Sequence, residues 1–193
     1  LASDFARNTT LTLNGYRVKF LSWGGISGST WLYHDGAWYY VQKYSCVTNG
    51  WYQIDGAWYF MNADGSLKQN ESFLYDNNLY FVNKSGKMYQ NQWLKWDGNY
   101  YYLRSWGGAA HEGWLLYDDN WYWFDDNGVM MASGWKEINN NLYYFQSWGG
   151  IYKNGFQSIG GNEYYFRSWG GVYRNTFFTV KGKTYIAQND GSI

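Results

Sequence analysis

The sequence predicts an all-β repeat protein, a solenoid of about nine stacked β-hairpins of roughly 21 residues each, wound into a superhelix. Three observations carry that reading. A tryptophan or phenylalanine recurs at Trp31, Trp51, Phe73, Trp93, Trp114, Trp135, Phe156 and Phe177, in steps of 20 to 22 residues. Between these markers, short aromatic runs alternate with Asp-Gly or Asn-rich turn sequences. The 193-residue chain is also 46% hydrophobic and 24% aromatic, so its apolar mass is Trp and Tyr rather than the Leu, Ile and Val of an ordinary core. Such rings pack and still carry a polar edge to the surface.

The units follow in order. Residues 1–9 are expected to be a linker or N-terminal extension, since the chain opens on Leu1 rather than Met and reads as a processed or excised piece. Residues 10–193 are expected to form a single repeat module. Its first unit, 10–28, keeps the register through Thr10 and Arg17 without the aromatics, as an end repeat facing water does. Unit 29–48 opens with Trp31, turns at Asp35-Gly36 and returns through Trp38-Tyr39-Tyr40. Unit 49–69 repeats this with Trp51, Asp55-Gly56 and Trp58-Tyr59-Phe60, and 70–90 with Phe73 and Asp76-Asn77-Asn78. Units 91–111 and 112–132 carry Trp93 with Tyr100-Tyr101-Tyr102 and Trp114 with Trp121-Tyr122-Trp123. Units 133–153 and 154–174 carry Trp135 with Leu142-Tyr143-Tyr144 and Phe156 with Glu163-Tyr164-Tyr165, and 175–193 closes the array.

Asp, Asn and Gly supply the positive φ of tight hairpin turns at little steric cost, and aromatics suit a pleated, half-buried strand. The absence of proline fits strands whose amides are paired. A lone hairpin is marginal in water, so the units must stack, and strand twist winds the stack. Nine residues beyond the start of each return triplet comes an aliphatic slot, filled by Val47, Leu67, Met88, Ala109, Met130, Ile151 and Val172. That slot is expected to pack beneath the next hairpin. Just before it, four units place Trp-Gly-Gly at Trp23, Trp106, Trp148 and Trp169. Two roles fit these residues: a surface ring folded over its own glycine turn, or an extra stacking surface for a sugar or partner.

Composition and motifs exclude several functions. Fifteen basic and 15 acidic residues give a formal net charge of +0, so no basic field attracts nucleic acid or an anionic membrane surface. No apolar run approaches the roughly 20 residues that insertion into a bilayer needs. Cys46 stands alone, which rules out an intrachain disulfide framework. His34 and His111 lie in different units with no ligand-spaced neighbour. Asp118, Asp119, Asp125 and Asp126 fall in the two turns of one hairpin, where Asp caps backbone, and their spacing is not that of an EF-hand loop. Ser147-Trp148-Gly149-Gly150 is no nucleophile elbow. The chain is therefore read as a binding module without catalytic residues, metal or cofactor.

The first aromatic of a unit and the residue seven positions later lie on opposite strands and can face one side, and a Tyr of the following hairpin can add a third wall. A box of three aromatic faces attracts a quaternary ammonium. Each face contributes roughly 0.5 to 2 kcal/mol, which for three amounts to about millimolar affinity.

Repeats such as GWYQIDGAWYFMNADGSLK and GWLLYDDNWYWFDDNGVMMA resemble the choline-binding repeats of Gram-positive surface proteins and phage lysins, over nearly the whole chain. The resemblance implies a choline-binding-module-like superhelix that recognises choline on teichoic acid. It implies an extracellular, cell-wall-associated location, secreted or phage-encoded, with an attached lysin, autolysin or surface protein held in place, and homodimerisation through end repeats. Carried over, its cages are Trp31, Trp38 and Tyr59; Trp51, Trp58 and Tyr80; Trp114, Trp121 and Tyr143, with Met130 as floor; and Trp93, Tyr100 and Tyr122. Leu79, Leu142 and Glu163 depart from the pattern, each removing a wall. Units such as GWKEINNNLYYFQSWGGIY and GFQSIGGNEYYFRSWGGVY are more similar to the glucan-binding repeats of glucansucrases and the repeats of clostridial toxins, which implies an α-glucan as the alternative ligand. A purely structural or protein-binding spacer is the third reading.

Overall fold

Two residues of left-handed backbone close each tight turn: Asp35 and Gly36, Asp55 and Gly56, Asp76 and Asn77, Asp97 and Gly98, Asp118 and Asp119, Asn139 and Asn140, Gly160 and Gly161, and Lys181 and Gly182 all have positive φ. This is the conformation that matches the twist of the flanking strands. The computed structural model describes residues 10–13, 16–19, 28–42 and 45–193. The expected linker and the turn at Trp23 lie outside the described residues.

Every regular element among them is a strand: β1 (Thr10–Leu13), β2 (Tyr16–Lys19), β3 (Ser29–His34), β4 (Ala37–Gln42), β5 (Ser45–Cys46), β6 (Gly50–Ile54), β7 (Ala57–Met61), β8 (Glu71–Tyr75), β9 (Asn78–Val82), β10 (Gln92–Trp96), β11 (Asn99–Leu103), β12 (Gly113–Tyr117), β13 (Asn120–Phe124), β14 (Gly134–Ile138), β15 (Asn141–Phe145), β16 (Gly155–Ile159), β17 (Asn162–Phe166), β18 (Thr176–Val180) and β19 (Lys183–Ala187). They form nine small antiparallel sheets among the described residues, each a sequential hairpin, with β5 added to β3–β4. The all-β hairpin series expected from the sequence is the architecture observed. The chain divides into two compact units, one running to Gln92 and including Leu103–Gly108, the other comprising Trp93–Tyr102 and Ala109–Ile193.

In both units the return strand supplies the core, by alternation on β11, β13, β15 and β17 and by three consecutive buried residues on β7 and β9. Tyr59 and Met61 point inward on β7, Tyr122 and Phe124 on β13, Tyr143 and Phe145 on β15, and Tyr164 and Phe166 on β17. Phe124, Phe145 and Phe166 are fully buried, and each such ring stabilises the stack by about 1.5 to 3 kcal/mol. The linker between hairpins is a tight turn, in which the Gly65 N–H donates to the Asn62 carbonyl and its later equivalents repeat the bond.

The side chains of the aliphatic slot reach forward to the turn glycine of the next linker, Leu67 to Gly86, Met130 to Gly149 and Ile151 to Gly170, but the backbone of the slot does not. It bonds backward. Leu67 N–H donates to the carbonyl of Trp38 (2.7 Å), Met88 to Trp58 (2.9 Å), Met130 to Tyr100 (2.9 Å), Ile151 to Trp121 (3.2 Å), Val172 to Leu142 (2.9 Å) and Ile193 to Glu163 (2.9 Å). The exposed edge of each return strand leaves its carbonyls unpaired, and the linker after the following hairpin satisfies one of them. This bond is the covalently independent tie between successive repeats.

Candidate functional site

The aromatic at the head of each hairpin is held by the next hairpin's tyrosine. Ring centroids lie 4.9 Å apart for Trp31 and Tyr59, 5.0 Å for Trp51 and Tyr80, 4.7 Å for Trp93 and Tyr122, and 4.8 Å for Trp114 and Tyr143. Trp93 also stacks on Phe124, and Trp114 on Phe145, each at 5.9 Å. These tyrosines are only 8 to 9% exposed. The second-strand ring is more open, with Trp58 at 36% and Tyr100 at 43% exposure. Trp38 and Trp121, the second-strand rings of the other two sets, are half-buried against the core.

Three of the expected sets line distinct clefts. Trp31, Trp38 and Tyr59 border one of about 360 Å³, with Leu67 beneath and Gln69, Lys84 and Ser85 at its rim. Trp51, Trp58 and Tyr80 border a narrower one of about 150 Å³ with Met88 and Trp106. Trp93, Tyr100 and Tyr122 border one of about 470 Å³ with Met130, Ser147 and Trp148. The smaller phenol of Tyr100, where the other two clefts have an indole, accompanies the widest of the three. In the fourth set Trp121 stands edge-on to Trp114 at 6.3 Å.

Met130 is not the floor of that fourth set. It packs against Tyr122 with Trp93 alongside, and Ile151 packs against Tyr143 with Trp114 and Trp121. The reason is the backward bond of the linker: a cage receives its floor from the linker after the next hairpin, one repeat later than its own.

The electrostatics suit a cation. Burial pushes the phenols of Tyr59, Tyr80, Tyr122 and Tyr143 above their ordinary pKa, so they stay neutral. The carboxylates of Asp55, Asp76 and Asp118 add to that rise at Tyr59, Tyr80 and Tyr122, and Arg167 opposes it at Tyr143. A carboxylate near enough to discourage a phenolate also favours a cation in the cage. The protein's own ammonium illustrates the attraction, with Lys95 Nζ 5.2 Å from the centre of the Tyr100 ring. The four aspartates read as turn residues behave so: Asp118 and Asp119 form a hairpin turn, and Asp125 Oδ1 accepts from Asn127 N–H (3.0 Å) and Val129 N–H (2.7 Å).

The Trp-Gly-Gly turns show the first of the two roles weighed for them. The rings of Trp106, Trp148 and Trp169 fold over Gly108, Gly150 and Gly171, where an added Cβ would overlap the indole. Trp106 and Trp148 also line clefts. A second device went unread in the sequence: Asn49, Asn70, Asn91, Asn154 and Asn175 adopt positive φ just before a hairpin, and each N–H donates across the open end of that hairpin to the residue after its return strand, as Asn49 does to Asn62 at 2.9 Å. The 21-residue spacing of Asn49, Asn70 and Asn91 was its signal.

Five segments, residues 49–67, 91–109, 112–130, 133–151 and 154–171, match the family model described as a "putative cell wall binding repeat". Among solved structures the chain is similar to choline-binding protein F from Streptococcus pneumoniae with a peptidoglycan analogue, at 26% identity and a TM-score of 0.75, covering 92% of this chain and 61% of that one. It is similar to CbpJ from Streptococcus pneumoniae TIGR4 at 26% identity and a TM-score of 0.76, covering 91% and 61%. The choline-binding domain of CbpL from Streptococcus pneumoniae matches at 28% identity and a TM-score of 0.62, over 86% of this chain and 97% of that domain. The chain thus spans about three fifths of the first two structures. Among curated proteins none matches the chain.

Proposed function

We propose that this chain, built from cell wall binding repeats, is a noncatalytic module that recognises choline on the teichoic acid of a Gram-positive envelope. The observation that supports this best is the recurrence of one constellation, a half-buried Trp, a buried neutral Tyr and a second-strand Trp or Tyr that is half-buried or exposed, around clefts with an aliphatic floor. Its sites are Trp31, Trp38 and Tyr59; Trp51, Trp58 and Tyr80; Trp93, Tyr100 and Tyr122; and Trp114, Trp121 and Tyr143. The module works outside the cell, at the wall, and anchors an attached enzyme or surface protein. Several weak sites facing a polymer of repeated ligands make later contacts intramolecular, raising retention by about 10² to 10⁴. The last hairpin leaves Phe177 71% exposed, and pairing of two chains there would bury that ring.

A thermal melt with and without millimolar choline, run beside an α-glucan oligosaccharide, tests the assignment. A ligand between hairpins stabilises the fold by about 2.7 kcal/mol at a hundredfold excess over its Kd, so choline should raise the midpoint. The residues that favour a second reading are Leu142 and Glu163, which take the place of the second-strand aromatic in the last junctions. A midpoint raised by the glucan and not by choline would establish that reading instead.

A further inference from the structure

The turn tryptophans have no role in a three-walled cage. We propose that the indole of the Trp-Gly-Gly turn is a fourth wall, supplied from two hairpins downstream, and that its presence or absence sets how tightly each cage holds a quaternary ammonium; the inference rests on the choline reading above. Trp106 follows β11 yet lines the cleft of Trp51, Trp58 and Tyr80, and Trp148 follows β15 yet lines that of Trp93, Tyr100 and Tyr122. The geometry repeats: Trp106 meets Tyr80 edge-on at 5.9 Å, Trp148 meets Tyr122 at 5.8 Å, and Trp169 meets Tyr143 at 5.9 Å. In the first cleft the aligned turn position is Ser85, and the rim is polar.

The turn glycines make this wall rigid. Gly108, Gly150 and Gly171 give each ring a bare backbone to lie on, so the indole loses little further freedom when a ligand arrives. At 44 to 46% exposure the three rings still present surface to solvent. A core residue would be buried, and a solvated turn needs no tryptophan. The Arg104 guanidinium stands 6.0 Å from the Trp106 ring and Arg167 5.2 Å from that of Trp169, so these indoles already attract cations. The chain therefore carries a graded set: a first cage open on one side and later cages closed by a fourth ring.

The test uses the full chain with Trp38→Leu, Tyr100→Leu and Trp121→Leu, leucine being what the fold already accepts at Leu142, so that calorimetry reads the Trp51, Trp58 and Tyr80 cage. Adding Trp106→Ser should raise the choline Kd by about two- to thirtyfold, one aromatic face's worth. Its effect on 3,3-dimethylbutan-1-ol, the uncharged isostere, should be smaller. Conversely, Ser85→Trp with Lys87→Gly in the otherwise native chain should tighten the first cage, a gain that misfolding cannot mimic. Wild-type binding with an unchanged Kd in Trp106→Ser, or an equal loss for choline and its isostere, would overturn the fourth wall and leave the choline assignment standing. No choline binding by the wild type would overturn both.

Discussion

Within the second unit, residues 93–102 and 109–132 are built by the same rules as residues 133–193 and differ from them in the residue that stands at the second-strand wall position. The head aromatic meets the next hairpin's tyrosine at 4.7 and 4.8 Å in the former, and at 4.6 Å (Trp135 and Tyr164) and 5.0 Å (Phe156 and Tyr185) in the latter. Trp135 stacks on Phe166 just as Trp114 stacks on Phe145. The backward bond of the linker reaches the carbonyl of Tyr100 and Trp121 in one region, Leu142 and Glu163 in the other. The hydrogen-bonded tie between hairpins uses only the backbone of that second-strand position, while the Trp38 and Trp121 side chains also pack against the neighbouring core clusters. The side chain there is free to be an aromatic wall, an aliphatic group or a carboxylate, so binding is separable from folding within a repeat.

If that separation holds, core lesions cost the same in both regions. Phe124→Ala and Phe166→Ala should each destabilise by about 3 to 5 kcal/mol in urea denaturation, both rings being fully buried; a cost under about 1 kcal/mol for Phe166→Ala would show that the cage-less region is held otherwise. Gly150→Ala should cost about 1 to 3 kcal/mol, because the new methyl displaces the Trp148 ring. Its choline sites should weaken only at the Trp93, Tyr100 and Tyr122 cleft, which indole NMR shifts resolve.

The wall position itself is addressed by paired substitutions. Trp121→Ala should remove one choline site and loosen the packing around Ile151, while Leu142→Trp should add one beside Trp135 and Tyr164. Equilibrium dialysis counts the sites, and an unchanged count in both variants would break the comparison. The smallest effect is on pH. Tyr59, Tyr80, Tyr122 and Tyr143 ionise later when folded than when unfolded. Above the ordinary phenol pKa of about 10 the unfolded chain binds fewer protons, so stability is full below that pH and declines as pH climbs through the raised folded values. Urea midpoints at about pH 8 and about pH 11 check the sign, and an equal or higher midpoint in alkali would contradict it.

Much of the repeat was legible because its signals are local. Asp55-Gly56 specifies its own turn, and the alternation through Tyr122, Trp123 and Phe124 specifies which side chains enter the core. The contact of a head Trp with the Tyr of the adjacent hairpin was legible too, since the two are neighbours at one remove. Met130 was misplaced, and Trp106 and Trp148 were left without a site, for a common reason: the direction in which a linker folds is not written in its residues. Nothing in the run Val129-Met130-Met131 distinguishes packing forward from packing back.

By itself, the sequence determined the period, the hairpin turns, the all-β class and the aromatic identity of the cage walls, because each depends on residues close enough to constrain one another's backbone. Only the tertiary structure decided which aliphatic side chain lies beneath which aromatic set. Those pairings join residues about 30 positions apart, Trp121 to Ile151 among them, and they form because a strand edge must find donors for its carbonyls wherever the stacked chain brings them.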